Sequence, residues 1–239
     1  ITLATAASNA SVDLGAGTDI LSLGNFANVL TAANVETLEG GTGADTVTLA
    51  TVASEASIDL GNGTDTLTLG NFANVVTVSN VESLVGGSAA DTVTIGSVFT
   101  NAVADLGAGN DTLTLADLVN SGSVANVETL IGGADADTIS FTTRLSNASV
   151  DLGAGSDKIT LGDFANSATV AGFETLIGGS SHDTITLAGE LTGSEIIDLG
   201  SGNDKITFAN FANFATVTNA ETIVGGSDAD TITLGGAIS

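Results

Sequence analysis

An all-β fold, a parallel β-solenoid of about ten coils of roughly 20 residues each, is what this sequence predicts. Three observations predict it. A unit of 46 or 47 residues recurs five times along the 239-residue chain. Each unit is itself an approximate duplication. The stretches between turns alternate apolar and polar residues with β-branched side chains dominant, and no 3.6-residue apolar period competes with them.

The period is carried by two marker segments. The first, DLGAGTD at Asp13 to Asp19, returns as DLGNGTD, DLGAGND, DLGAGSD and DLGSGND, at steps of 46, 46, 46 and 47 residues. The second, GGTGAD at Gly40 to Asp45, returns as GGSAAD, GGADAD, GGSSHD and GGSDAD. Both end in Asp followed by a short alternating strand. In TVTL after Asp45, Val47 and Leu49 face one way and Thr46 and Thr48 the other. Sliding Ala50 to Gly61 forward by 26 lays it on Val76 to Gly87 without a gap, leaving GNFANV (Gly70 to Val75) over. Alternate coils are therefore expected to carry a six-residue insert, at Gly24, Gly70, Ala116, Gly162 and Ala209, with Phe26, Phe72, Leu118, Phe164 and Phe211 plugging the resulting bulge. The whole of 1–239 reads as one solenoid. Its beginning and end fall at the same phase of the repeat, which leads to the expectation of a longer covalent array or of end-to-end self-association through exposed strand edges.

Composition narrows the partners. There are 28 Asp plus Glu against three basic residues, a formal net charge of −25, and no Cys, Pro, Met, Trp or Tyr. Nucleic acid is excluded as a partner, since phosphates are held by Lys and Arg. No apolar run is long enough to insert in a membrane. With 43% hydrophobic residues the chain is no disordered acidic tail. Many fixed carboxylates ask for cations.

The repeated turn is G-x-G-x-D followed by an alternating strand. Glycine permits positive φ and close backbone approach, so carbonyl oxygens can turn to a common point to which Asp adds a carboxylate. All-oxygen donors suit a hard cation such as Ca2+, which takes about six to eight of them. One turn cannot supply so many, so the ion is expected between stacked turns.

On these residues the chain resembles the repeats-in-toxin (RTX) family, whose nonapeptide is G-G-x-G-x-D-x-U-x. Gly40 to Thr48 matches at every position, and Leu14 to Ser22 and its equivalents match except for Leu at the first Gly. The resemblance implies a β-roll-like fold with several Ca2+ ions. It implies as ligands Asp19, Asp45, Asp65, Asp91, Asp111, Asp137, Asp157, Asp183, Asp204 and Asp230. The carbonyl-bearing glycines are Gly15, Gly17, Gly41, Gly43, Gly61, Gly63, Gly87, Gly107, Gly109, Gly133, Gly153, Gly155, Gly179, Gly200, Gly202 and Gly226. It further implies secretion by a one-step (type I) route and folding outside the cell, in an adhesin or surface-layer protein. The chain departs from the family in its longer coil, in carrying the motif on one edge only, and in having Ala89, Asp135, Ser181 or Asp228 where the motif's last Gly belongs. Ala and Ser suit left-handed geometry poorly, which leaves occupancy at Ala89 and Ser181 open.

Other columns have quieter readings. Asp13, Asp59, Asp105, Asp151 and Asp198 read as solvated strand ends, with a ligand role as the alternative. Glu36, Glu82, Glu128, Glu174 and Glu221 read as hydrogen-bonding the loop left by the insert, with a metal role as the alternative. His182 reads as exposed. The turn Asp residues could also be mere turn caps. Two rival functions use the same fold: an ice-binding solenoid displaying T-x-T arrays, and a polysaccharide-active β-helix. An enzyme is not expected, because a catalytic site is a single irregular constellation and every acidic column here repeats.

Overall fold

A computed structural model describes residues 1–236. The chain is all strand in its regular structure, and among the described residues no helix is long and apolar enough to cross a membrane. It divides into two compact units, 1–116 and 117–239. Within each unit successive strands alternate between two parallel sheets, so each strand pairs with the next but one. This is the expected parallel β-solenoid.

In the first unit one sheet stacks Val29–Ala33, Thr46–Leu49, Thr66–Thr68 and Ser83–Gly87 in order. The other stacks Thr37–Glu39, Ser54–Asp59, Val75–Ser79 and Thr92–Ile95. Alternation sends every second side chain inward. Leu30, Val47, Leu67 and Leu84 form one inner column and Leu38, Ile58, Val78 and Ile95 another, all buried. Each fully buried Leu or Val contributes about 1.5–3 kcal/mol. In the second unit Ile139, Ile159 and Leu176 continue the pattern in one sheet, and Val150, Val170 and Leu187 in the other.

Coil boundaries fall differently from the expected ones. Residues stacked on one edge are separated by 17, 20, 21 or 22 positions. The segment Gly70–Asn74 is a turn of its own, followed by its own strand Val75–Ser79. The five strands from Thr46–Leu49 to Ser83–Gly87 make up one 46-residue unit, which is two and a half coils. An odd number of strands puts the next copy of any motif in the opposite sheet. Thr46–Leu49 and its copy Thr92–Ile95 accordingly lie in different sheets. The Asp turns therefore occupy both edges, correcting the one-edge expectation. The misreading arose because the strands after GNFANV and after NVE look, by alignment, like one coil with an insert.

Candidate metal centre

Five turns of four kinds follow one another on each edge: an apolar turn, an Asn turn, two Asp turns and a Glu turn. In the first unit one edge carries Ala7, Asn28, Asp45, Asp65 and Glu82, and the other carries Ala53, Asn74, Asp91 and Asp111 after Asp19 and Glu36. A single hydrogen-bond scheme links them, in which each backbone N–H donates to the side chain of the turn stacked next. Ala7 donates to Asn28 Oδ1 at 2.9 Å, Asn28 to Asp45 Oδ1 at 2.9 Å, Asp45 to Asp65 Oδ1 at 2.6 Å and Asp65 to Glu82 Oε2 at 2.7 Å. The opposite edge repeats this from Ala53 through Asn74 and Asp91 to Asp111. In the second unit the runs are Asn120–Asp137–Asp157–Glu174 and Leu145–Asn166–Asp183–Asp204–Glu221.

The Asn column was missed in the sequence, although a signal was there. Leu69-Gly70-Asn71-Phe72-Ala73-Asn74 has the frame of Leu60-Gly61-Asn62-Gly63-Thr64-Asp65, with Phe for the second Gly and Asn for Asp. The supposed inserts are thus degenerate copies of the Asp turn. Their Asn side chains are buried, at 0–2% exposure, and each Nδ2 is fully used. Asn74 Nδ2 donates to the Gly70 carbonyl (3.0 Å), the Phe72 carbonyl (2.7 Å) and Asp91 Oδ1 (2.8 Å). Asn166 and Asn213 repeat all three contacts.

The Asp turns keep the scaffold and change that one atom. Asp Oδ1, like Asn Oδ1, accepts the N–H of the preceding turn. By the shared turn frame Oδ2 takes the place of the Asn NH2 group, which in Asn74 faces two turn carbonyls and the next carboxylate, and an ionised carboxylate cannot donate. Oδ2 of Asp19, Asp45, Asp65, Asp91, Asp137, Asp157 and Asp204 is buried without a hydrogen-bond partner. Asp183 and Asp230 find one, the N–H of Gly179 and of Gly226. A buried acceptor facing acceptors is costly unless a cation or a proton lies between. Burial pushes the Asp65 and Asp157 carboxyls up to about 6; backbone N–H bonds oppose this, and the carboxylates on either side, Asp45 with Glu82 and Asp137 with Glu174, add to it. Asp137 and Asp204 are raised for the same first reason. Among the described residues no basic side chain is hydrogen-bonded to these carboxyls. Arg144 bonds the Ala165 carbonyl, and Lys158 and Lys205 stand on strands. Among the described residues no three acidic or imidazole side chains converge on one point, so an ion would take two carboxylates and fill its shell with carbonyls.

Glycine permits the close stacking of these turns, in which the carbonyls of Gly41, Gly87, Gly133 and Gly179 accept the N–H of Asn62, Ala108, Ala154 and Ser201 in the next coil. Gly61 has φ of +82°, and a Cβ there would lie 2.1 Å from the Gly41 oxygen in the coil below; at Gly107, Gly153 and Gly200 the same approach is 2.1, 2.2 and 2.0 Å. The position held by Gly43, Ala89, Asp135 and Ser181 is different. None of the three non-glycine residues has positive φ. Their carbonyls all point at the next coil's glycine, 2.5–2.8 Å from where its Cβ would be. The left-handed strain expected at Ala89 and Ser181 is absent, because the motif's demand for glycine falls on the other turn.

The remaining columns sort as follows. Asp13, Asp59, Asp105, Asp151 and Asp198 accept the N–H two residues on at 3.0–3.1 Å. Asp13, Asp59 and Asp198 also accept from Asn34, Asn80 and Asn219, so these carboxylates cap turns. The Glu side chains belong to the edge ladder, not to a loop left by an insert. Phe26, Phe72, Phe164 and Phe211 are 43–44% exposed and do not plug the core; the Phe72 ring lies over its own turn's Gly70. His182 is exposed and its Nδ1 accepts the Asn203 N–H. The T-x-T pairs stack two coils deep, Thr46 on Thr66 and Thr48 on Thr68, before Val29 and Val85 interrupt.

Comparison with known proteins finds the same turn motif in parts of the chain. Four copies of the RTX calcium-binding nonapeptide repeat match at residues 31–49, 125–140 and 217–237. No curated protein sequence matches the chain. Among solved structures, a hyperactive, Ca2+-dependent, β-helical antifreeze protein from an Antarctic bacterium aligns with 97% of this chain and 82% of its own, at 21% identity and a TM-score of 0.31. So slight a likeness carries no argument.

Proposed function

We propose that this chain, whose turns are RTX-type calcium-binding repeats, is a structural module of a secreted bacterial surface protein, of adhesin or surface-layer type, that Ca2+ folds and stiffens outside the cell. The observation that carries this reading is the set of buried Asp Oδ2 atoms without partners, stacked in pairs on both edges. Asp45 with Asp65 and Asp137 with Asp157 each bracket one gap in which neither Oδ2 has a donor; Asp91 with Asp111 and Asp183 with Asp204 bracket the equivalent gaps on the opposite edges, with the Gly179 N–H reaching Asp183 Oδ2. Ca2+ suits such a gap better than Mg2+, which demands tighter octahedral geometry and sheds water reluctantly. Without cations, 28 acidic residues on 239 resist compaction, which fits a chain that stays unfolded where calcium is scarce. The role is mechanical rather than catalytic, because every acidic column repeats.

Circular dichroism with and without chelator tests this. A β spectrum in millimolar Ca2+ that collapses in chelator is expected; an unchanged spectrum after exhaustive chelation overturns the reading.

A further inference from the structure

Three gaps follow one another on each edge, and one of them shows how such a gap is satisfied without a metal. Between Asn74 and Asp91, Nδ2 supplies the donor that the carbonyls and the next carboxylate need. Between Asp91 and Asp111 the donor is replaced by an acceptor, the gap assigned above to calcium. The third gap, between the second Asp and Glu, has the same composition as the second. Asp65 is fully buried, its Oδ1 is engaged by the Asp45 N–H, and its Oδ2 has no partner. Its position is the one from which Asn Nδ2 reaches forward to the next turn. What it meets there is Glu82, whose Oε2 accepts the Asp65 N–H at 2.7 Å.

We propose that the Asp–Glu gap is a second kind of divalent-cation site, with Glu36, Glu82, Glu174 and Glu221 as ligands facing Asp19, Asp65, Asp157 and Asp204. The same contact recurs in all four pairs, at 2.5–2.8 Å. The side-chain type fits the geometry. The Glu turn joins Val75–Ser79 directly to Ser83–Gly87 through residues 80–82, whereas the Asp65 turn spans 60–65 between Ser54–Asp59 and Thr66–Thr68, and its Asn80 has φ of +54°. One more methylene than Asp lets the carboxylate rejoin the ladder from this tighter turn. Beyond Glu the next turn presents a buried apolar side chain, Phe99 on this edge and Ala53 on the other, so the run of ions stops there. Each run would hold two ions, one on either side of its second Asp. The ligand class is a hard divalent cation, Ca2+ before Mg2+, for the reason given above. This rests on the calcium reading of the Asp–Asp gap.

Counting bound Ca2+ per chain by native mass spectrometry, on the full chain folded in excess Ca2+, tests it. Glu82→Gln keeps an acceptor for the Asp65 N–H and is expected to bind one ion fewer. Asp45→Asn, which places an amide in the neighbouring Asp–Asp gap, is also expected to lose one. Asn74→Asp, which turns a filled gap into an acceptor-only one, is expected to gain one. An unchanged count in Glu82→Gln beside a loss in Asp45→Asn overturns the Asp–Glu site and leaves the calcium reading standing. A wild type that binds no calcium removes the reading beneath it. If Glu82→Gln does not fold, anomalous scattering from wild-type crystals decides: a calcium peak between Asp65 and Glu82 supports the site, and an empty gap beside an occupied Asp45–Asp65 gap overturns it.

Discussion

The gap between Asn74 and Asp91 and the gap between Asp91 and Asp111 are built on the same kind of turn, with the same stacking and the same N–H to Oδ1 bond, at 3.0 and 2.6 Å. They differ in one atom. Where Asn74 presents NH2 to two carbonyls and a carboxylate, Asp91 presents a bare oxygen. The first gap is a closed hydrogen-bond network, which is favourable once every member is satisfied. The second is incomplete as protein alone. One edge thus alternates a self-sufficient joint with a metal-dependent one, and amide against carboxylate selects which.

Removing the metal should break the comparison most completely. In chelator the Asp–Asp gaps hold mutually repelling carboxylates, so the chain is expected to lose its β circular dichroism while Ca2+ restores it and Mg2+ does so poorly. Next in size, Asp65→Ala deletes a ligand and strands the buried Asp45 N–H, which alone costs about 1–3 kcal/mol. Because solenoid stability is nearly a sum of neighbouring terms, the loss should appear in hydrogen exchange around Asp45 and Asp65, with distant coils still protected.

Gly61→Ala and Gly15→Ala sharpen the point at the backbone. Both residues have φ of +82°, but a Cβ at Gly61 meets the Gly41 oxygen at 2.1 Å while one at Gly15 meets nothing within 4 Å. Gly15→Ala should cost about 1–2 kcal/mol for the left-handed conformation, and Gly61→Ala clearly more, read as thermal midpoints in saturating Ca2+. Asn74→Ala removes the amide network and should cost a comparable amount, about 1–3 kcal/mol for the polar groups it strands. Unlike Asp65→Ala, it should leave the number of bound ions unchanged.

The smallest expected effect is on pH dependence without metal. Asp65 and Asp157 have folded-state carboxyls at about 6 against an ordinary 3.8. A raised carboxyl means that the folded state binds more protons between about 4 and 6. Metal-free stability must then fall as pH rises through that window and stay low above it. In chelator, residual β-structure is expected to increase on acidification from 7 towards 5, followed by circular dichroism; a flat profile would show that these carboxyls do not limit the metal-free fold.

Much of this was legible in advance. Val47 and Leu49 inside with Thr46 and Thr48 outside follow from two-residue alternation. The Asp turns follow from their fixed glycine frame. Asn74 was legible in principle, since its turn has the frame of Asp65's turn, but Phe72 at the glycine position disguised it. Glu82 is visible as one of a repeating column, but nothing local to NVE says which residue stacks beneath it. Phe72 was assigned to the core on its hydrophobicity alone, whereas a turn that must bring Asn74 inward turns the Phe ring outward over Gly70.

By itself the sequence determined the period, the all-β parallel coil, the inward apolar columns and the all-oxygen donors that call for a hard cation. Each of these is a property of one segment compared with its own copies. Tertiary structure alone decided which turns are neighbours. A 46-residue unit that holds five strands advances by two and a half coils, so its copies alternate between edges, and the residues that share a gap lie 17 or 20 positions apart in different motifs. Self-comparison aligns a motif with its copies, but an ion is held by unlike motifs in adjacent coils, and only the stacking register brings those together.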